Sequence, residues 1–416
     1  MNAYMICIGS MGDTLPFVTI GEAMAARGHN VTVVANEHFR EFIEKRKLNF
    51  EPTLSKDRYQ QFIDSQKHLS DIGSLREMGE ILKNLIEPVY RLLEERYVPG
   101  QTVACSQTYA MGARVAQETF GLPLATAFLQ PMWFRSVYSM PPVDFLPKFM
   151  KSGIQGILNY FLDRGSGKTL MDFREQKFGL PRQKRVMHDW WVSPQCHFGL
   201  FPEWFATPRP DWPKNVVLPG FPLPNEIHDY FDMSEVNAFL EAGDPPLVFT
   251  QSSIAAEAHK YFKTSIEIAQ KLGCRAIFLT PHPELLPDSI PDGMKYFPYV
   301  PLERLLHRTK AHLHHGGIGT IAHTLKAGIP QVTVPMVYDQ PDNSLRLLPL
   351  KVSIDLKPKQ YRANHVIPRL KSLIESKEVW SRCRDYAERI KKSNPLEHTC
   401  EVLEALGEGR PFKTVN

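Results

Sequence analysis

The stretch His314-His315-Gly316-Gly317-Ile318-Gly319-Thr320 carries the strongest chemical signal in the chain. It follows an apolar run, Ala311 to Leu313, and leads into Ile321-Ala322-His323-Thr324-Leu325. The pattern predicts a strand, a glycine-rich turn and a helix. Such a turn aims backbone N–H groups and the positive end of a helix at an anion. Glycines let the backbone approach the ligand, and a histidine at a strand end can donate to a phosphate oxygen. A second unit, Gln331 to Tyr338, ends in Asp339-Gln340. A carboxylate followed by an amide both accepts from and donates to hydroxyls, which suits a polyol. A diphosphate site beside a hydroxyl-reading site predicts a nucleotide-sugar ligand.

A third candidate stands near the start. Asp13, in Gly9-Ser10-Met11-Gly12-Asp13-Thr14-Leu15-Pro16-Phe17, is expected in the loop after the first strand, where parallel sheets present ligand-binding groups. A carboxylate there can act as a general base on an acceptor hydroxyl and can favour an oxocarbenium-like transition state. The alternative is an N-cap for a helix beginning near Thr14-Leu15-Pro16.

His-His-Gly-Gly-x-Gly-Thr with Asp-Gln, together with the Gly9 to Phe17 segment, resembles the family 1 glycosyltransferases, inverting enzymes of GT-B fold, in their bacterial form. The likeness covers nearly the whole chain. Ile86-Glu87-Pro88-Val89-Tyr90, Leu200 to Ala206, Leu247 to Gln251 and Tyr299 to Leu302 are similar to segments of the rhamnosyltransferase chains of rhamnolipid synthesis. The resemblance favours the base role for Asp13. It gives His314 the phosphate contact, with Gly316, Gly317, Gly319 and Thr320 supplying backbone and hydroxyl donors. Asp339 and Gln340 would hold the sugar hydroxyls. Tyr299 would stack on a pyrimidine whose edge the Val300 backbone reads. A loop tyrosine covering core is the alternative for Tyr299. Thr250, Ser252 and Ser253 would meet a phosphate or serve as local caps.

The chain also departs from the family. Plant members use a histidine in the first loop and a helper aspartate after a later strand. This chain has no histidine between Met1 and Gly28, and Ser106 stands at the helper position. A plant ribose-binding glutamate is replaced by Ala322. Strand packing or a metal site are the other readings of His312, His314 and His315. No carboxylate or cysteine stands at ligand spacing, so no metal is expected. No Asp-x-Asp sequence is present to hold magnesium, and no cofactor beyond the sugar nucleotide is implied.

These residues need two α/β domains to position them. Strands are expected at 4–8, 30–34, 102–105 and 123–128, then at 247–250, 276–279, 311–313 and 331–334. Helices are expected between them, including 16–27, 75–96, 260–272, 320–327 and 342–348. Alternation of this kind predicts parallel sheets covered on both faces. The fold class is α/β, two facing Rossmann-like doubly wound domains with a cleft between them, as the GT-B resemblance also implies. Boundaries are expected at 1–222 for an acceptor-binding domain and 246–390 for a donor-binding domain. A proline-rich linker is read at 223–245, and a final segment, 391–416, should return to the first domain.

Trp133 to Lys168 breaks the rhythm with aromatics, Met and Pro. Trp133, Phe134 and Tyr138 are candidate acceptor-binding residues there, with core packing as the alternative. Lys148, Lys151 and Lys168 flank the segment, which suits contact with an anionic lipid surface or a carboxylated acceptor. Gly165-Ser166-Gly167-Lys168-Thr169 resembles the end of a phosphate-binding loop, but no strand leads in, so a turn is expected.

The 416 residues are 43% apolar, enough for large cores. The net charge of +4, without a block of like charges, does not imply nucleic acid. No run reaches membrane-span length, and the first residues go straight into a strand, so no signal peptide is read. The six scattered cysteines suit reduced thiols in a cytoplasmic protein, peripheral at most to the inner membrane face. The expected activity is inverting transfer of a hexose or 6-deoxyhexose from a UDP- or dTDP-sugar to a hydroxyl of a hydrophobic small-molecule or lipid acceptor. A noncatalytic sugar-nucleotide-binding subunit and a nucleotide-sugar epimerase of the same fold remain as alternatives.

Overall fold

The computed structural model describes residues 1–53, 72–183, 185–224, 231–251 and 258–415. The chain divides into two units, Met1–Pro222 with Asn394–Asn416, and Leu223–Ser393.

The first unit runs β1 (Asn2–Ile6), α1 (Met11–Ala26), β2 (Asn30–Ala35), α2 (Arg40–Glu44), β3 (Asn49–Pro52), α3 (Ile72–Arg96), β4 (Thr102–Gln107), α4 (Met111–Phe120), β5 (Leu124–Phe128), α5 (Lys148–Leu162), α6 (Lys168–Phe178), β6 (Cys196–Gly199) and β7 (Val216–Val217). The strands are all parallel, in the order β3-β2-β1-β4-β5-β6-β7. Central strands covered on both faces need apolar runs without alternation. β4 and β5 are each buried along their whole length, β5 with an almost wholly apolar run and β4 with Thr102, Ser106 and Gln107 buried as polar residues. Strand order reverses between β1 and β4, so the loops after these two strands diverge and leave a crevice at their carboxyl ends.

The second unit runs α7 (Ser234–Glu241), β8 (Leu247–Thr250), α8 (Ala258–Leu272), β9 (Ala276–Leu279), β10 (Met294–Phe297), α9 (Leu302–Leu305), β11 (Ala311–His314), α10 (Ile318–Ala327), β12 (Gln331–Thr333), α11 (Gln340–Leu347), β13 (Ser353–Asp355), α12 (Ala363–Glu375) and α13 (Lys377–Lys392). Its parallel sheet has the order β10-β9-β8-β11-β12-β13. Here the reversal falls between β8 and β11. Successive strand residues point to opposite faces. Phe249, Phe278 and Leu313 therefore join one core with Phe262 of α8 and Leu370 of α12. Their neighbours Val248 and Ile277 join another with Val236 of α7 and Leu305 of α9. The stretch read as a linker from its prolines thus contributes α7 and Met233 to a core.

α14 (Pro395–Gly407) belongs to the first unit and packs beside α1. Arg27 at the end of α1 grips Glu404 with two bonds of 2.7 Å, and His29 Nε2 lies 2.8 Å from the same carboxylate. The Arg27 bond, with His29, holds Glu404 down at about 2 from an ordinary 4.5. A depressed carboxyl stabilises the fold fully above its unfolded value and loses that contribution as pH falls through the folded one. Glu404→Gln should cost about 1 kcal/mol at pH 7, the scale of a well-aligned but partly exposed pair. The difference from the parent should shrink as pH drops from 5 toward 2, and parallel urea titrations across that range would measure it.

Candidate active site

The candidate residues lie after the carboxyl ends of strands: Asp13 after β1 and Trp133, Phe134 and Tyr138 after β5 in the first unit, and Tyr299 and Val300 after β10, the glycine turn after β11 and Asp339-Gln340 after β12 in the second. In the first unit, α1 begins at Met11, earlier than the sequence suggests, with Ser10 as its N-cap. Asp13 is thus neither a free loop residue nor the cap. It sits in the first helical turn, where its carboxylate answers Ser10. Its Oδ2 accepts from Ser10 N and from Ser10 Oγ, each at 2.9 Å. Its Oδ1 accepts from Gln107 Nε2 at 3.0 Å. Gly9 makes room for this: at φ +129° it adopts a backbone few other residues reach, and a Cβ there would lie 2.5 Å from Asp13 Oδ2. Burial pushes the Asp13 carboxyl up, and the bonds from Ser10 and Gln107 oppose it. A carboxylate accepts about four hydrogen bonds. With two on Oδ2 and one on Oδ1, Oδ1 is the oxygen left able to take a proton.

In the second unit the glycine-rich turn forms between β11 and α10. Gly316, at φ +88°, has no room for a Cβ, which would lie 2.6 Å from Ser344 Oγ. Its carbonyl accepts from Asn343 Nδ2, which also reaches Asp339 Oδ2 at 2.6 Å. The structure therefore brings the glycine turn and the Asp339-Gln340 turn side by side through Asn343. α10 starts from Gly317 with no side-chain cap and no acidic residue in its first turn. Its leading N–H groups are left for an anion.

The histidine assignment needs correction. His314 is fully buried, and both ring nitrogens are engaged within the protein. Its Nδ1 accepts from Gly316 N at 3.1 Å, so the ring proton sits on Nε2, which faces Gln331 Oε1 at 2.9 Å. Burial pushes His314 down to about 3 and keeps it neutral. It has no donor to offer a phosphate, and it takes the Gly316 N–H out of play as well. His315 is the better candidate. Its ring lies over Gly317, where a Cβ would be 2.6 Å from Nε2, and its Nδ1 is buried without a partner inside the protein. Burial pushes it down to about 4, so it is a neutral imidazole whose ring, unlike that of His314, is not committed at both nitrogens. Of the expected donors, Gly317 is the N-cap of α10, Gly319 and Thr320 lie in its first turn, and Gly316 shapes the loop before it.

Other assignments also shift. Thr250 Oγ1 lies 3.0 Å from His312 Nε2, and His312 Nδ1 lies 2.8 Å from Thr324 Oγ1. Thr324 donates to Thr320 O, so His312 must donate to Thr324 and accept from Thr250. The Thr250 proton is thus directed at His312 and not at a phosphate. Ser252 and Ser253 lie outside the described residues. Gln340 is buried, and its Oε1 accepts from Met336 N and Val337 N, which leaves its amide N–H groups as the end able to meet a hydroxyl. Tyr299 is 61% exposed and meets Phe231 edge-on, so it does not cover core, while Val300 is buried.

In the acceptor segment Phe134 is core. It stacks on Trp212 at 4.3 Å and is 4% exposed. Trp133 is half-buried, edge-on to Tyr109 and Trp191. Tyr138 is exposed beneath the Lys148 ammonium. The stretch 163–167 is helical and joins α5 to α6, where a turn was expected. Sequence reasoning missed α5 itself, although its apolar spacing was legible. Phe145 just before it, and Phe149, Ile157 and Tyr160 on it, are each more than half exposed. Gln107 was also missed. Among the described residues, no cluster of three or more His, Cys, Asp or Glu is placed to hold a metal.

Two units, each built on a parallel doubly wound sheet, match the GT-B fold of solved glycosyltransferases. Family models match in both halves. Residues 4–139 match the glycosyltransferase family 28 N-terminal domain, and residues 278–404 match the C-terminal domain of the erythromycin biosynthesis protein CIII-like family. It is 24% identical to the O-mycaminosyltylonolide 6-deoxyallosyltransferase of Streptomyces fradiae, over 99% of this chain and 98% of that one. It is 23% identical to a sterol 3-beta-glucosyltransferase of Debaryomyces hansenii over 97% of this chain, which spans only 26% of that longer protein. The solved glycotransferase of kitacinnamycin superposes with a TM-score of 0.74 at 17% identity, covering 97% of this chain and 98% of that one. The glycosyltransferase VinC, solved in complex with dTDP, superposes at 0.69 with 15% identity, covering 98% and 100%. At such identities the structures speak for the fold.

Proposed function

We propose that the chain transfers a hexose or 6-deoxyhexose, with inversion, from a UDP- or dTDP-sugar to a hydroxyl of a hydrophobic acceptor. The observation that carries this reading is the loop cluster of the second unit: an uncapped helix N-terminus, a neutral histidine and a carboxylate–amide turn, drawn together through Asn343. The α10 amides and His315 meet the diphosphate, and its growing charge as leaving group needs no metal or other cofactor. Asp339 and the Gln340 amide read sugar hydroxyls, and the exposed Tyr299 ring offers a pyrimidine a stacking face. The dTDP held by VinC and the 6-deoxyallosyl transfer named for the Streptomyces relative favour a dTDP-6-deoxysugar. The likeness to rhamnosyltransferases points to rhamnose.

In the reaction the acceptor oxygen attacks the anomeric carbon while its proton passes to Asp13 Oδ1. The bond from that carbon to the diphosphate breaks, and the nucleoside diphosphate leaves with the electron pair. Incubation with a panel of dTDP- and UDP-sugars and a long-chain or polycyclic alcohol should release nucleoside diphosphate together with a glycosylated alcohol. Binding without turnover would identify a sugar-nucleotide-binding subunit. Release of an epimerised sugar without an acceptor would identify an epimerase.

The apolar face of α5 is the acceptor side of this reading. Lys151, expected to flank the segment as a lipid contact, is instead buried and donates to Asp144 at 3.0 Å, so only Lys148 and the lack of acidic residues in 145–162 support peripheral rest on an anionic lipid surface. No helix of the described residues is long and apolar enough to cross a membrane. Because Phe149 is 76% exposed and Ile157 62%, replacing both with Ser should spare the fold. Loss of two apolar contacts to the bound acceptor should raise the acceptor KM about tenfold or more and leave donor hydrolysis unchanged. An unchanged KM would place the acceptor elsewhere.

A further inference from the structure

We propose that Gln107 is the positioning residue of the catalytic base, holding Asp13 Oδ1 in the one orientation that receives the acceptor proton. This rests on the base reading of Asp13. Gln107 is the last residue of β4, the strand next to β1 at the point where the sheet order reverses. It is 6% exposed, and its amide spans two groups. Oε1 accepts from Ile8 N at 2.8 Å, and Nε2 donates to Asp13 Oδ1 at 3.0 Å. The orientation of the amide is not a free choice. A backbone N–H can only donate, so the carbonyl must face Ile8 and the amine must face Asp13.

Ile8 immediately precedes the Gly9-Ser10 turn, so one side chain ties the backbone entering the loop to the carboxylate leaving it. Ser10 fixes Oδ2, and Gln107 fixes Oδ1 from the neighbouring strand. The family's helper position, Ser106, lies one residue earlier, and side chains alternate along a strand. Gln107 thus supplies from the adjacent position a support that Ser106 does not. An amide cannot take the proton onward. It differs from a helper carboxylate in favouring the ionised base by donation alone. Among the described residues, Cys7 on the β1 side is a titratable neighbour that feels the Asp13 charge. Burial pushes its thiol up to about 12, so it stays neutral through the working range.

The donation from Gln107 favours the charged form of Asp13, so removing it must raise the pH at which the base protonates. The test uses Gln107→Glu and Gln107→Leu beside Asp13→Asn, each in the full chain with a saturating sugar nucleotide. Gln107→Glu keeps the acceptor for Ile8 N–H and should keep the fold, as melting will report. In both Gln107 variants the acidic limb of kcat/KM for the acceptor should move to higher pH, by on the order of one unit. In Gln107→Glu kcat should fall about tenfold, with donor affinity unchanged. A lower Tm with an unmoved limb would make Gln107 merely structural and overturn the proposal. Should Asp13→Asn remain active, the base reading itself fails. An inactive Asp13→Asn beside unmoved Gln107 profiles removes Gln107 alone.

Discussion

Replacing Asp13 with Asn should lower kcat by about a thousandfold, within the range a general base contributes, while affinity for the sugar nucleotide stays at the parent level. The expectation follows from the bonding of the carboxylate. Three donors already converge on it, two on Oδ2 and one on Oδ1, so it is fixed before any acceptor arrives. Burial raises its basicity at the same time. An amide cannot satisfy the same three donors, because its own N–H groups must face Ser10 or Gln107. A stability loss of about 1–3 kcal/mol should therefore accompany the catalytic one. Melting will separate the two, since a folded variant with the parent's donor affinity and little turnover isolates the base. A kcat within tenfold of the parent would move the base to another residue. Donor hydrolysis without acceptor should fall by a smaller factor, because water meets the base with no bound alcohol to orient it.

The α/β architecture was legible because long apolar runs alternate with helical spacing. β8 and β9 fall at the residues their Leu247–Thr250 and Ala276–Leu279 runs indicate. The strands that escaped notice are short or edge elements. β3 (Asn49–Pro52) is polar at one end and ends in proline, and β13 (Ser353–Asp355) is only half-buried. Edge strands lack the second covering layer that forces an apolar run, so little in their sequence marks them. α1 starts at Met11, ahead of the start its proline suggests, because Pro16 lies inside the helix and not in its first turn. The Asp13 carboxylate instead accepts from Ser10 N and Oγ at the start of the helix, one turn earlier, and the helix runs on through Pro16 with one backbone donor fewer.

At the site, residue type was readable and partnership was not. The motif showed that histidines and glycines meet an anion. It could not show that His314 turns inward to Gln331, a residue contributed by the neighbouring strand. Gln107 was invisible for the same reason, since its meaning depends on β4 lying beside β1. Phe134 and the exposed residues of α5 look alike in sequence, and only packing against Trp212 separates core from surface.

The histidine pair offers the sharper test of the donor site. His315→Ala should weaken nucleoside diphosphate binding about tenfold or more, the scale of a hydrogen bond to a charged group, and leave the free nucleoside bound as before. Its stability should stay near the parent's, because His315 Nδ1 has no partner to lose. His314→Ala should behave in the opposite way. Gly316 N and Gln331 Oε1 would both lose their buried partner, and a cavity would open between β11 and β12. The fold should weaken by about 2–5 kcal/mol. What diphosphate affinity it loses should track the disorder of the Gly316 turn, and should be recovered in part on cooling or in stabilising osmolyte. Calorimetry with dTDP and with thymidine, beside melting of both variants, reads all four quantities. If His314→Ala kept its Tm and lost diphosphate selectively while His315→Ala bound normally, the phosphate contact would return to His314, and its bonds to Gly316 and Gln331 would have to open when the ligand arrives.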